Sequence, residues 1–220
     1  MLGYLLLVLV AAVASAHGVG GRDQGFLTSA AGFAPGPFFY LGAKHMVTGY
    51  DHLLFLAGVI FFLYRFRDVA TYVTLFAIGH SLTLLGGVLG GLNVDAYVID
   101  ASIGLSVSYK ALENLGAFKT LGIEIDSRKA VFVFGLFHGL GLATKLQDLA
   151  LSQDGLVGNM LAFNAGVELG QIAALSAILL AFNLWRSSGR FLRYAAVGNW
   201  LLLTAGFVLA GLQITGYVTS

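Results

Sequence analysis

From residue 39 onward the sequence alternates long apolar runs with short polar connections. Six runs have helical length: 39–66, 69–92, 96–118, 130–146, 156–185 and 191–214. A helix of about 20 apolar residues covers the hydrocarbon core of a bilayer, so these runs read as spans. Their short connections predict antiparallel neighbours in one compact bundle. The pattern before residue 39 is different. Residues 2–14 are almost wholly apolar but short for a span, and Ala14-Ser15-Ala16 has the small-x-small form that signal peptidase accepts. Residues 1–16 therefore read as a cleavable signal segment. The Gly-rich stretch 17–37 reads as an external loop, with Pro35 and Pro37 at its end. The predicted fold is all-α: a polytopic membrane bundle of six transmembrane helices over 38–220, following the signal segment.

Composition supports this class. Of 220 residues, 58% are apolar and only 10% charged, against ~45–50% and ~25% in an ordinary soluble domain. Twelve basic and 11 acidic residues cannot supply a soluble protein's polar skin. The net charge of +1, with basic residues spread over loops, offers no nucleic-acid patch. Cysteine is absent, which excludes disulfides, thiolate metal sites and cysteine nucleophiles. Five histidines are then the whole inventory of imidazole ligands. One set of loops carries Arg65, Arg67, Lys119, Arg128, Lys129, Arg186, Arg190 and Arg193, and the opposite set has only Arg22, Lys44 and Lys145. The positive-inside rule makes the richer side cytoplasmic, so both mature termini face outward from a bacterial-type inner membrane.

Ionisable groups inside a bilayer are costly, and their positions are informative. At about 1.5 Å per residue, His45 is expected at the outer surface, with Asp51 and His52 roughly 10 Å below it. His80 and His138 fall roughly 18 and 14 Å up from the cytoplasmic side, and Asn164 and Glu168 roughly 14 and 20 Å below the outer face. Groups from four runs thus share the middle or outer half. His45 and His52, seven apart, lie on one helix face. Asp51 points about 100° from His52 on a regular helix, and Gly49 just before them can loosen that turn. Asn164, Glu168 and Gln171 form a polar stripe, and His138, Gly141 and Lys145 share a face. Lys110 and Glu113 lie near the cytoplasmic interface and read as a pair. Asp100 lies in the outer half of its run, and the Ser102, Ser106, Tyr109, Glu113 stripe reads as packing and hydrogen bonding.

Neutral imidazoles with carboxylates and no sulfur suit Ni²⁺, Co²⁺, Zn²⁺ or Cu²⁺. The expected metal residues are His45, Asp51, His52, His80, His138, Asn164 and Glu168. No prosthetic group is expected; the divalent ion itself would be bound or carried, and lipid and metal would be the partners. Two other classes fit the same residues. A zinc-dependent intramembrane hydrolase would use Glu168 as general base. A non-transporting assembly subunit for a metal enzyme would need the site only for binding. His17, if cleavage exposes it, is a possible outer chelator.

The stretch His45-Met46-Val47-Thr48-Gly49-Tyr50-Asp51-His52 resembles the His-x5-Asp-His signature of the HupE/UreJ membrane proteins. The likeness continues through Gly79-His80-Ser81-Leu82-Thr83, Phe137-His138-Gly139-Leu140-Gly141 and Phe163-Asn164-Ala165-Gly166-Val167-Glu168. Met46 stands where hydrogenase-linked members carry proline, and His80-Ser81-Leu82-Thr83 and Asn164 with Glu168 look more like the family's broader second branch. The resemblance implies a six-helix inner-membrane protein associated with nickel or cobalt supply to hydrogenase and urease. Nickel is then the favoured ion, and nickel-enzyme maturation proteins are candidate partners. His45, Asp51 and His52 would form the first metal motif, and His138 and Glu168 would belong to later ones.

Overall fold

The computed structural model describes residues 32–147 and 154–219. The signal segment and most of the 17–37 loop, including His17 and Arg22, lie outside the described residues. Among these residues all regular structure is helical. Helix α1 is Pro35–Thr48, α2 Tyr50–Ile60, α3 Phe66–Gly90 and α4 Ala96–Asn114. The short α5 is Ala117–Thr120, followed by α6 Ser127–Gln147, α7 Leu156–Ser187 and α8 Phe191–Thr219.

Four helices, α3, α6, α7 and α8, are long and apolar enough to cross a membrane. The two remaining apolar runs fall short for identifiable reasons. The first is broken at Gly49 into helices of 14 and 11 residues. The second, α4, carries Asp100, Lys110 and Glu113 within 19 residues. The outer faces of the long helices expose Leu82, Ile172, Leu184 and Leu201, apolar surface suited to lipid.

Local chemistry explains several boundaries. Pro35 and Pro37, expected at the end of the loop, instead form the first turn of α1, where proline's missing N–H costs nothing. Gly91, at φ 64°, ends α3 in the left-handed conformation that glycine adopts without a Cβ penalty. The Asp95 carboxylate caps α4, accepting from the Tyr97 and Val98 amides at 2.9 and 3.2 Å.

Three close helix pairs build the bundle: α3 with α6, α1 with α7, and α4 with α8. Glycine permits all three, the third through Gly104 and Gly206, where an added Cβ would lie 2.6 Å from Ala210 N and 2.7 Å from Ser108 N. A Cβ on Gly139 would overlap the His80 carbonyl, and one on Gly166 would overlap the Phe39 carbonyl. Small residues at such crossings let backbones touch, which is how membrane helices pack without a hydrophobic driving force. The first contact matters for the site, because Gly139 follows His138 and the carbonyl it meets is that of His80.

Candidate metal centre

The break at Gly49 organises the site. Gly49 leaves helical geometry (φ −74°, ψ 98°) while its N–H still donates to the His45 carbonyl at 2.9 Å. A Cβ at this position would lie 3.0 Å from His52 Nδ1 and 3.2 Å from Asp51 Oδ1. Absence of a side chain thus leaves room for the Asp51–His52 pair. On a regular helix these two would diverge; beyond the break, Asp51 Oδ1 sits 2.8 Å from both His52 Nδ1 and the His52 amide nitrogen. Asp51 also occupies the first turn of α2, where the helix dipole favours an acid.

Around His52 stand the other rings. Its centroid lies 5.1 Å from His45 of α1, 6.0 Å from His80 of α3 and 4.8 Å from His138 of α6. Two imidazoles sharing a tetrahedral ion, with nitrogens about 2.1 Å from it, have centroids about 5 Å apart. These spacings are of that order. His52, His80 and His138 are 3%, 1% and 0% exposed. His45, expected at the outer surface, is instead partly buried against His52, because α1 begins four residues earlier than the apolar run and carries it inward.

Hydrogen bonds define which nitrogens are available. Asp51 Oδ1 accepts a hydrogen bond from His52 Nδ1–H, leaving Nε2 as a buried nitrogen with no hydrogen-bond partner. His138 is held from the other side. Ser106 Oγ donates to the Ile103 carbonyl at 2.6 Å, so at 3.2 Å it accepts from His138 Nε2–H. That leaves His138 Nδ1 buried and unpaired, and both nitrogens of His80 are likewise unpartnered. Ligating histidines commonly have one N–H held by a carboxylate, carbonyl or hydroxyl so that the other nitrogen presents its lone pair. Unsatisfied buried polar atoms are rare in folded proteins and call for a reason. The rings are gathered, yet no group of three or more His, Asp or Glu side chains among the described residues is arranged to hold a metal as it stands.

The rest of the expected set is placed differently. Asn164 and Glu168 of α7 form a chain with Ser81: Ser81 Oγ donates to Asn164 Oδ1 at 3.0 Å, and Asn164 Nδ2 donates to Glu168 Oε1 at 3.2 Å. Glu168 and Ser81 line a groove of about 670 Å³ between α3 and α7 with Gln171 and apolar residues. Gln171 donates to the Val73 carbonyl at 3.5 Å, an interhelical tie. Ser81 follows His80 directly in sequence, which joins this chain to the histidine cluster through the backbone of α3.

Three phenylalanines floor the cluster. Phe55, Phe76 and Phe134 stand three or four residues from His52, His80 and His138, each toward the end carrying the Arg65, Arg67 and Arg128 loops. Phe55 lies 5.3 Å from Phe76 and 5.8 Å from Phe134, and His138 packs on Phe55 and Phe76 at 5.1 and 5.0 Å. Their spacing in sequence is the signal that could have found them. Ser106 was visible as a polar stripe, but nothing in sequence paired it with His138.

The fold and the site define a polytopic helical membrane protein with a buried imidazole cluster, four ligand-type rings from four helices. Within that class, the HupE / UreJ protein family model matches residues 21–220, and the chain belongs to that family. The family is associated with nickel and cobalt uptake and is of transporter rather than enzyme type. No curated protein and no solved structure matches the chain.

Proposed function

We propose that the protein is a permease for a divalent transition-metal ion, Ni²⁺ in the first instance and Co²⁺ next. The observation that carries this reading is the gathering of His45, His80 and His138 around His52 at a helix break, with buried nitrogens of His52, His80 and His138 that have no hydrogen-bond partner. Discontinuous helices at mid-membrane mark substrate sites in many transporters, because irregular backbone is tolerated there only beside a cavity or ligand. In this reading α1 and α2 together make one span of about 39 Å, and α4, about 28 Å long, makes another. With the four long helices these give six spans. In the same reading, and by the positive-inside rule, the Arg65 end faces the cytoplasm and both termini face outward from an inner membrane. Asp51 compensates part of the ion's charge, and nickel-enzyme maturation proteins are candidate recipients on the cytoplasmic side.

The hydrolase alternative finds less support. It needs a carboxylate base beside a metal-bound water, and Glu168 is engaged by Asn164 in the α3–α7 groove. The deciding experiment uses the purified chain in liposomes. Ni²⁺ uptake abolished by His52→Ala or Asp51→Ala, with helicity and thermal stability retained, supports the permease. Wild-type protein that binds zinc stoichiometrically but moves no metal would sink it.

A further inference from the structure

Outside the histidine cluster, α4 carries two ion-paired carboxylates, one toward each end. Near its start, Asp100 receives Lys145 Nζ of α6 on both oxygens, each at 2.8 Å. Near its finish, Glu113 receives Lys110 Nζ at 2.8 Å, and that ammonium also reaches Ser127 Oγ at 3.1 Å. The Ser106–His138 contact lies between the two pairs along the same helix. A polar seam therefore runs the length of α4, with a lysine on each acid and the metal-type imidazole between.

The outer pair has two features that a simple structural tie does not require. Lys145 is seven residues, two turns, beyond His138 on one face of α6. Its ammonium thus tops the seam that leads down to that ring, about 10 Å away along the axis. Gly141 lies between them on this face, and a Cβ there would meet Ile99 Cγ2 at 2.8 Å, Ile103 Cδ1 at 3.4 Å and Asp100 Oδ1 at 3.7 Å. The second feature is asymmetry. The Asp100 side chain is 5% exposed, whereas that of Lys145 is 20% exposed, two residues from the helix end. The flexible lysine stem can swing its head outward, as such side chains do at membrane surfaces. The carboxylate has no such freedom, and a buried carboxylate left unpaired is strongly unfavourable. Lys145 can depart without that penalty when another cation takes its place or a proton neutralises the carboxylate.

We propose that Asp100 is an outer binding station for the divalent cation on its way to the histidines, and that Lys145 is a tethered counter-cation which occupies it between ions. The proposal rests on the permease reading and adds a second site to it. A single carboxylate leaves a divalent ion with net positive charge, a hold loose enough for the ion to pass on to the imidazoles. Returning Lys145 to Asp100 would then restore neutrality behind it.

The test follows the Lys145 amine. The full-length protein in liposomes is treated with a membrane-impermeant amine-acylating reagent, with and without saturating Ni²⁺, and Lys145 labelling is read by peptide mass spectrometry. Ni²⁺ is expected to raise Lys145 acylation several-fold. In Asp100→Asn the labelling is expected to be high without metal and insensitive to it. The neutral double variant Asp100→Asn/Lys145→Gln is expected to raise KM for Ni²⁺ uptake several-fold with kcat little changed. Calorimetry on wild-type protein separates the failures. Ni²⁺ binding with no change in Lys145 labelling overturns the displacement while leaving the permease intact. A well-folded double variant that transports like wild type does the same, since it would show the pair to be a structural tie. Absence of any Ni²⁺ binding overturns the permease reading and this proposal with it.

Discussion

Ser106→Ala tests whether the hydrogen bonds around the rings serve metal binding or only packing. The hydroxyl donates to the Ile103 carbonyl and accepts from His138 Nε2–H. Ile103 O lies within α4, so its lost contact costs little. His138 is fully enclosed, and its N–H left without a partner costs about 1–3 kcal/mol of stability. For metal affinity the consequence is different in kind. Without Ser106 the proton is no longer held on Nε2, and the Nδ1 lone pair is no longer guaranteed to face the cluster. Removing such an outer partner typically lowers metal affinity about 10–100-fold, which is about 1.4–2.7 kcal/mol. The assay is calorimetric titration of Ni²⁺ into detergent-purified protein, beside a thermal melt of the same sample. Ser106→Thr keeps a hydroxyl and is expected to recover most of the affinity. A Ser106→Ala protein that melts earlier but binds Ni²⁺ as tightly as wild type would refute the tautomer argument and leave Ser106 as helix glue.

Two further substitutions probe the frame that holds the rings. Gly139→Ala forces a methyl onto the His80 carbonyl and should cost about 1–3 kcal/mol or more by overpacking. Because it pushes α3 from α6, Ni²⁺ binding and melting temperature should fall together, whereas Gly86→Ala, which meets nothing within 4 Å, should leave both intact. Arg186 donates to the Ile60 and Phe61 carbonyls at 3.1 and 2.7 Å and lies 4.3 Å over the Tyr64 ring, fastening the end of α2. Arg186→Lys loses the planar fork and the stacking; at about 1.5–3 kcal/mol for hydrogen bonds to a charged group, a lowered melting temperature is expected, and an unchanged melt would show that α2 needs no such clasp.

How much of this could be seen in the sequence depended on the kind of residue. The helical runs were legible because lipid-facing helices are apolar all round, so the extents of α3, α6, α7 and α8 differ from the apolar runs by a few residues. The histidines stood out because polar groups are scarce among apolar neighbours. What could not be seen was rotation and depth. A hydropathy run has no feature that marks a break when glycine sits at an ordinary φ, so 39–66 looked like one continuous helix. His45 was expected at the outer surface, whereas α1 starts at Pro35 and sets it against His52; a loosening at Gly49 was anticipated, but not that it divides the run into two helices. Glu168 shows the converse problem. Similar depth suggested that it joins the histidines, but depth leaves the rotation of α7 open, and the structure puts its carboxylate in the α3–α7 groove with Ser81 and Asn164. Lys145 and Asp100 are 45 residues apart, and nothing local to either one names the other.

The gathered but unconverged rings bear on what the cluster is for. A fully converged set of imidazoles would bind a transition metal tightly and release it slowly, which suits storage or structure. Conduction needs a site strong enough to strip water yet weak enough to let go. Here His52 and Asp51 belong to α2, while His45 belongs to α1 on the far side of Gly49, and His80 and His138 belong to the glycine-packed α3–α6 pair. Motion of α2 about Gly49 would move one nitrogen and one carboxylate relative to three rings at once. Phe55 travels with the same helix, a turn below His52, against Phe76 and Phe134. In the permease reading, a movement of α2 that converged or separated the ligands would also shift the aromatic floor between the cluster and the basic end of the bundle. Coupling ligand release to opening on that side needs no additional moving part, only that α2 turn as a unit between its hinge at Gly49 and its clasp at Arg186.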